Sequence, residues 1–138
     1  MKKSLYVKRD LINPQELIEH FAKLGAPKLE DNLHCTVCYS STPVEWEYFT
    51  PLMDKTPVPY ADRKISLLGD NMLVLEFESG KLTKDHDRFI RLGASWDYPS
   101  YRPHISLFKS DFPRMFQFQP FLGPLILGPE IFEEIKED

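Results

Sequence analysis

The sequence predicts an α+β fold made of two similar halves. Segments of alternating apolar and polar residues, which favour β-strands, are interleaved with two segments of helical spacing. The segment Phe21–Ala26 (FAKLGA) recurs as Phe89–Ala94 (FIRLGA), and each copy precedes a His-x-[Thr/Ser]-[Val/Leu]-x-x-Ser pattern. Internal repetition is typical of a duplicated structural unit. We therefore expect one domain over residues 1–138, with two pseudo-symmetric lobes, approximately 1–60 and 61–138, of antiparallel sheet flanked by helices.

The first half begins with an alternating segment, Leu5–Arg9, that predicts a strand. Asn13 is placed as an N-cap before a proline, and apolar residues at helical spacing then predict a helix over Pro14–Leu24 that stops at a glycine. Leu33–Ser41 is rich in β-branched and aromatic residues and predicts a second strand. A short helix is expected over Val44–Met53, after a Thr-Pro pair.

The second half contains a predicted hairpin, because Gly69-Asp70-Asn71 separates two apolar runs. A helix is expected from about Leu82 to Leu92, again followed by glycine. The other expected elements are strands at Lys64–Leu68, Met72–Glu78, His104 onward, Leu125–Leu127 and Ile131–Ile135, and an aromatic loop, SWDYPSYRP, before His104.

The composition limits the classes of function. Lys and Arg total 17 against 21 Asp and Glu, a net charge of −4, which argues against broad binding of long nucleic acid. A small anionic ligand in a local basic pocket is compatible with this charge. Neither a membrane span nor a signal peptide is indicated, so we expect a cytosolic protein.

Cys35 and Cys38 are the only two cysteines, and no second Cys/His pair at zinc-finger spacing follows them. On a strand, residues three apart point to opposite faces. We therefore expect neither a zinc site nor a disulfide, and we interpret both thiols as apolar fillers rather than nucleophiles.

The paired H-x-[ST] patterns carry the functional prediction. On a strand, His34 and Thr36 share one face, and His104 and Ser106 do the same, so two adjacent strands would bring both histidines and both hydroxyls into one groove. One imidazole can accept a proton from an attacking hydroxyl while the other protonates the leaving oxygen. The hydroxyls can hydrogen-bond phosphate oxygens, and no metal is required.

Other interpretations of these histidines are open at this stage. A single H-x-[ST] usually marks a partly buried histidine, and the pair could also be a metal site or a repeat whose chemistry has decayed. His20 and His86 fall in the predicted helices and are interpreted as solvated surface residues.

Four segments follow one another along the chain: LYVK before a helix, LHCTVCYS followed by Pro-Val-x-Trp, RPHISLF and a closing LGPEIFE. This ordered set resembles the two-histidine (2H) phosphoesterases of the LigT type, and resembles phage anti-CBASS nucleases more closely. The resemblance implies a LigT-like α+β fold with the active site in the central groove. It also implies a cyclic oligonucleotide substrate, such as 3′,3′-cGAMP or cyclic tri-AMP, and no cofactor.

The resemblance also implies further site residues. Tyr6 and Lys8 of the opening strand would line the pocket, and a C-terminal acidic residue would contact a base. That residue is assigned to Glu130 with Phe132 nearby, with Glu133 or Glu134 as alternatives. On physical grounds, Lys8 and Arg102 could supply positive charge. The aromatic residues that could stack on bases are Tyr6, Trp46, Trp96, Tyr98 and Tyr101, with core packing as the alternative for Trp46.

The sequence thus predicts a metal-independent phosphodiesterase that opens cyclic di- or trinucleotides at a 3′–5′ bond. By resemblance it would counter bacterial antiphage signalling, in the host cytoplasm if it is encoded by a phage. Three alternatives are open: a 2H enzyme acting on RNA 2′,3′-cyclic phosphates, a sponge that binds cyclic nucleotides without cleaving them, and a structural domain. Ring size, preferred bases and the separate roles of the two histidines are not predicted.

Overall fold

The computed structural model describes residues 1–69, 71–96, 98–109 and 118–136. Asp70 of the predicted hairpin turn and Ser110, the closing serine of the second motif, lie outside these ranges. The strands are β1 (Lys2–Leu11), β2 (His34–Glu45), β3 (Thr56–Pro57), β4 (Lys64–Leu68), β5 (Met72–Glu76), β6 (His104–Lys109) and β7 (Ile126–Glu133). The helices are α1 (Gln15–Lys23) and α2 (Gly80–Arg91), with a short 3₁₀ turn at Trp46–Tyr48.

The predicted two-lobe, LigT-like α+β fold is wrong. The described strands form one seven-stranded antiparallel sheet in the order β3-β7-β1-β2-β6-β5-β4. The described part of the chain adds only two α-helices to this sheet, so the fold is mainly β. Hydrogen bonding between β2 and β6, at the pair Cys35 and Ile105, joins the two halves of the chain into this sheet. The last strand, β7, lies between β3 and β1 of the first half. A sequence repeat indicates similar units but does not determine which strands pair.

The repeated FxxLGA segment is a helix stop that is used twice. After α1, the amide of Ala26 donates to the carbonyl of Phe21, and the amide of Gly25 donates to that of Ala22. After α2, the amides of Ala94 and Gly93 donate in the same way to the carbonyls of Phe89 and Ile90. This is the Schellman arrangement, which needs a left-handed residue at the glycine position. Gly25 and Gly93 have φ of 83° and 105°. Both predicted helix ends are therefore confirmed.

The remaining element predictions had mixed outcomes. The hairpin is confirmed as β4 and β5. The helix expected over Val44–Met53 is wrong, because β2 continues to Glu45 and only three residues then turn as a 3₁₀ helix. Asn13 does not cap α1; its side chain instead bonds the amide of Ile126 and the carbonyl of Pro124, which ties the helix start to β7.

The two faces of the sheet differ in character. Along β1, Leu5, Val7 and Arg9 are fully buried, whereas Tyr6 and Lys8 between them are only partly covered. Residues paired in register share a face. On this basis the Tyr6 and Lys8 side of β1 continues across β2 and β6 as the face that carries both histidines.

Among the described residues, neither helix is long and apolar enough to cross a membrane.

Candidate active site

The two H-x-[ST] motifs meet where β2 and β6 pair. The registered pair is Cys35 with Ile105, so extending the antiparallel register by one residue in each direction places His34 opposite Ser106 and Thr36 opposite His104. Residues directly opposite in such a pair have Cβ atoms about 4.5–5.5 Å apart. The sheet therefore brings together all four predicted catalytic residues, related by a local twofold axis.

Each histidine is held by the same backbone contact. Nδ1 of His34 donates to the carbonyl of Asn32 at 2.9 Å, and Nδ1 of His104 donates to the carbonyl of Arg102 at 2.7 Å. A carbonyl can only accept, so both contacts place a proton on Nδ1. In the neutral ring, Nε2 is then the free base. Both imidazoles therefore present Nε2 as the atom that can exchange a proton.

The two Nε2 atoms have different surroundings. The hydroxyl of Tyr6 lies 2.8 Å from Nε2 of His34 and 3.5 Å from Oγ1 of Thr36. Burial raises the pKa of Tyr6, so the phenol stays protonated; its hydroxyl can donate to neutral His34 or accept from protonated His34. For His104, burial is the main influence, and it lowers the pKa despite the opposing effects of the Arg102 carbonyl and Glu76. Neutral His104 is thus favoured at neutral pH.

Lys8 lies on the same face, opposite Thr36 in the register between β1 and β2. Its ammonium is 2.8 Å from Oδ1 of Asn32, 3.4 Å from Asp10 and 3.7 Å from Glu133. Asn32 therefore contacts both Lys8 and His34. Its side-chain oxygen accepts from Lys8, and its backbone carbonyl accepts from Nδ1 of His34. These contacts fix the position of the Lys8 charge beside the first motif.

Arg102 is the corresponding cation beside the second motif. It forms a two-pronged ion pair with Glu76, with N–O distances of 2.8 and 2.6 Å, and Glu76 is the register partner of His104. The guanidinium lowers the pKa of Glu76, and the carboxylate raises that of Arg102. The side chain of Arg102 is half exposed, so an anionic ligand could reach it.

A β-bulge at Val37 changes the faces of the residues that follow it. Val7 pairs with Cys38 but Lys8 pairs with Thr36, so Val37 is the extra residue of β2. The predicted alternation therefore fails beyond Thr36: Tyr39 lies on the histidine face, 5.4 Å from the Tyr6 ring, and Cys38 is buried in the core.

Cys35 and Cys38 are both buried, although strict alternation along the strand would put them on opposite faces. Burial raises the pKa of Cys35 to about 11 and that of Cys38 to about 12. Both are therefore protonated at neutral pH, which argues against a role as nucleophile.

The structure does not bring Glu130, Phe132 and Trp46 to this face. Glu130 pairs with the buried Arg9 in the register, and its carboxylate accepts from Arg88 and from the amide of Leu52, each at 2.9 Å. Phe132 lies opposite the buried Val7 and packs on Phe89.

Trp46 is also placed by packing. Its ring contacts Phe132 edge-on, and its indole nitrogen donates to the carbonyl of Ser4. By contrast, Glu133 is the register partner of Tyr6 and lies on the histidine face. Of the acidic residues considered at the C-terminal end, Glu133 is therefore the one that the fold places beside the candidate site.

A groove of about 650 Å³ opens beside His104. Its lining includes the polar residues Thr36, Arg102 and His104, the aromatic residues Trp96 and Tyr98 with Pro99, and Leu68 and Gly69 of the β4–β5 hairpin. Volumes of about 300–1,000 Å³ are typical of small-molecule sites. His34 and Ser106 occupy the adjoining row of the same face.

The prediction that His86 is a solvated surface residue is wrong. The side chain is buried, and Nδ1 donates to the carbonyl of Val37 at 2.8 Å. Its ring stacks on Tyr101 with centroids 4.3 Å apart, and Tyr101 in turn donates to the carbonyl of Thr36 at 2.7 Å. His20 lies at the surface end of α1, where it bonds the carbonyl of Gln119.

No group of three or more His, Cys, Asp or Glu residues suited to holding a metal ion occurs within the described ranges. The polar groups around the two histidines are hydroxyls and the cations Lys8 and Arg102, which are paired with Asp10, Glu133 and Glu76. An anionic ligand would compete with these carboxylates for the two cations.

Comparison with known proteins identifies the family. The family model described as "Anti-CBASS protein Acb1" matches residues 3–138. The chain belongs to this family. Two bacterial proteins with that name are similar to it: one from Caulobacter sp. (strain RHG1), 37% identical over 142 residues, and one from Sphingomonas paeninsulae, 35% identical over 146 residues. They cover 96% and 97% of this chain, which spans only 23% of the length of each.

A phage protein of the same name, from Acinetobacter phage Ac42, is 30% identical over 95 residues, covering 67% of this chain and 61% of the phage protein. The family assignment confirms the resemblance to anti-CBASS proteins drawn from the ordered motifs. That resemblance was based on the two histidine strands, the opening strand and the C-terminal segment together.

The sequence analysis missed Glu76, Asn32 and Tyr39, which lie around the site. Glu76 carries no motif, and only the pairing of β5 with β6 places it beside His104. Asn32 precedes His34 by two residues, as Arg102 precedes His104, and this shared spacing was a usable signal for the carbonyl contacts. The position of Tyr39 on the histidine face depends on the bulge at Val37, which was not predicted.

Proposed function

We propose that this protein is a metal-independent phosphodiesterase that opens cyclic di- or trinucleotides by breaking a 3′–5′ bond, and that it thereby counters CBASS antiphage signalling. The family and the names of its relatives support the anti-CBASS role. The paired motifs, like those of 2H phosphoesterases, support the chemistry. The net charge of −4 suits a compact anionic ligand held by a few residues.

One observation carries the proposal. His34 and His104 lie on the same face of the sheet, on adjacent strands, and each is opposite the hydroxyl residue of the other motif. Each also has its proton on Nδ1, where a backbone carbonyl accepts it. Two imidazoles that both present Nε2 to the same space can act on opposite sides of a phosphodiester. A single buried histidine could not serve both proton transfers at once.

The mechanism follows from the difference between the two imidazoles. His104, whose pKa is lowered by burial, accepts the proton of the ribose 2′-OH at Nε2, and the 2′-oxygen attacks the adjacent phosphorus. The bond from phosphorus to O5′ breaks, and protonated His34 gives its Nε2 proton to that oxygen. The products are a 5′-OH and a 2′,3′-cyclic phosphate. Water can then open the cyclic phosphate by the same proton transfers in reverse.

Thr36 and Ser106 donate hydrogen bonds to the non-bridging phosphate oxygens, where negative charge increases in the transition state. Lys8 and Arg102 add positive charge from the two sides. Arg102 is paired with Glu76, so phosphate binding would compete with that carboxylate.

The test is to incubate the protein in excess EDTA with 3′,3′-cGAMP, cyclic tri-AMP and an RNA bearing a 2′,3′-cyclic phosphate, and to separate the products by chromatography. The His34→Ala/His104→Ala double variant is the inactive control, and Cys38→Ala is the matched active one. Linear products from the rings with wild type and Cys38→Ala alone are expected.

Other outcomes identify the alternatives. Intact rings beside a processed RNA end would assign the protein to RNA 2′,3′-cyclic phosphates. Intact ring recovered from the protein after heat denaturation would identify a sponge.

A further inference from the structure

An aromatic wall of the groove comes from residues between α2 and β6, a few positions before His104 in the chain. Trp96, Tyr98 and Pro99 line it, and Tyr98 is 62% exposed. Trp96 and Tyr98 contact each other edge to face, with centroids 5.2 Å apart. Exposed aromatic area in a groove that also holds cationic and hydroxyl groups favours a ligand with a flat apolar part.

The groove combines two kinds of lining residue. Thr36, Arg102 and His104 suit a phosphate, and Trp96, Tyr98 and Pro99 add an aromatic and apolar surface. The indole nitrogen of Trp96 already donates to the carbonyl of Ser100, at 3.2 Å. The indole therefore offers its ring rather than its donor, and stacking on a nucleobase of any sequence is the interaction that such a wall provides.

His86 connects this wall to the catalytic strand. Its Nδ1 donates to the carbonyl of Val37, the extra residue of the bulge that follows Thr36. Its ring lies parallel to that of Tyr101, with an interplanar angle of 5°, and meets Trp96 edge to face at 4.8 Å. Tyr101 is itself bonded to the carbonyl of Thr36. A buried histidine on α2 thus touches both the wall and the strand that bears Thr36.

We propose that Trp96 and Tyr98 form the nucleobase-stacking subsite of the groove, and that His86 is the positioning residue that sets this subsite at a fixed distance from the reacting phosphate. This inference rests on the proposed function for its substrate class. His86 does not touch the substrate; it acts through Trp96 and Tyr101.

The subsite predicts a separation of binding from chemistry. Base stacking contributes roughly tenfold in affinity per base, and it is present both before and during the reaction. Loss of a uniform binding interaction raises KM without lowering kcat. Changes at the wall or at His86 should therefore act on KM, unlike changes at His34 or His104.

Fluorescence can test the subsite separately from turnover, because Trp46 and Trp96 are the only two tryptophans. A Trp46→Phe background keeps an aromatic ring against Phe132 and leaves Trp96 as the only indole. The probe is 3′,3′-cyclic di-dAMP, which keeps both bases and phosphates but lacks the attacking 2′-OH. Deoxyribose 5-phosphate, which has no base, is the matched control ligand.

Saturable quenching of Trp96 by the ring, and none by the sugar phosphate, is the expected result. His86→Asn keeps an N–H donor for Val37 but removes the ring, and should weaken Kd about five- to tenfold. His86→Phe keeps the ring and removes the donor, so it should lower Tm yet retain most of the affinity. Asp87→Asn, at the next, exposed position of α2, is the control variant.

Turnover of the hydrolysable ring gives the second measurement. Tyr98→Ala removes an exposed side chain and tests the wall even if His86→Asn fails to fold. It should raise KM about fivefold and leave kcat within about twofold.

Two results would contradict the inference while leaving the proposed function intact: cleavage of rings by wild type with no change in Trp96 emission at saturating probe, or a fall in kcat with unchanged KM in Tyr98→Ala. Conversely, quenching of Trp96 without cleavage of any ring would support the subsite and contradict the proposed hydrolysis.

Discussion

Strands β2 and β6 carry the same H-x-[ST] pattern, and the comparison between them shows what a repeat preserves. Both histidines donate Nδ1 to the carbonyl two residues earlier. Beyond this contact they differ: His34 has the Tyr6 hydroxyl at Nε2, whereas His104 lies beside the Glu76–Arg102 ion pair with its pKa lowered by burial. Identical local geometry in unlike surroundings allows two chemically equal groups to take opposite roles.

The largest expected effect is the loss of either histidine. His34→Ala and His104→Ala should each lower kcat for ring opening by about 10²–10⁴-fold, because each removes one proton transfer. The double variant should be little worse than the poorer single one, since the pair acts as a unit. Steady-state kinetics beside His20→Ala, a histidine outside the groove, will measure this. Near-normal kcat in either single variant would remove that residue from the chemistry.

The hydroxyl residues should have the next largest effect, and a similar one on both strands. Thr36→Val and Ser106→Ala each remove a proposed donor to the phosphate oxygens, and we expect about a 10²-fold lower kcat for each. Thr42→Val, at an exposed position of the same β2 strand, is the control. If only one of the two hydroxyls mattered, the local twofold symmetry of the site would not extend to its catalytic function.

Tyr6→Phe tests the hydroxyl contact at Nε2 that distinguishes His34 from His104. It removes the hydroxyl at Nε2 while keeping the ring against Tyr39, and should lower kcat by up to about tenfold, the contribution of one hydrogen bond. Tyr48→Phe, at a side chain that is 69% exposed, is the matched control. An unchanged kcat would show that Tyr6 only fills space.

The smallest effect is expected from Glu76→Gln, which changes only the His104 side. The charged groups that act on His104 are Glu76, which raises its pKa, and Arg102 and His34, which lower it. Removing the carboxylate and freeing Arg102 should both lower this pKa further. A base works only when deprotonated, so activity is lost as pH falls through this pKa, and the acidic limb of the kcat/KM profile should move to lower pH.

Glu78→Gln, two residues along and exposed, is the control for that profile. An acidic limb that moved to higher pH in Glu76→Gln would mean that His104 is not the base that this limb reports.

The sequence predicted the local features of the molecule better than its pairings. The two helix stops and the shared face of His34 with Thr36 depend only on neighbouring residues, and they were predictable. The adjacency of the two histidine strands was part of the prediction, but the single sheet was not, because a repeat of similar units does not show which strands pair. Strict alternation from His34 would put Tyr39 on the opposite face, but one extra residue at Val37 reverses the alternation and puts it beside Tyr6.

The same limit applies to the C-terminal strand. Whether Glu130 or Glu133 faces the histidines depends on the register with β1, which sets Glu130 against Arg9 and Glu133 against Tyr6. No pattern within LGPEIFE determines that register. His86 was likewise interpreted as a surface residue, since its partners Val37 and Tyr101 are distant in sequence.

The assignment of His104 as base and His34 as acid can be tested with a cyclic dinucleotide in which sulfur replaces the bridging 5′-oxygen. Sulfur leaves without protonation, so a variant that lacks only the acid should recover activity on this substrate. The proposed mechanism predicts that His34→Ala cleaves the sulfur-containing ring at a rate near that of wild type, whereas His104→Ala remains slow. Recovery by His104→Ala instead, or by neither variant, would contradict it.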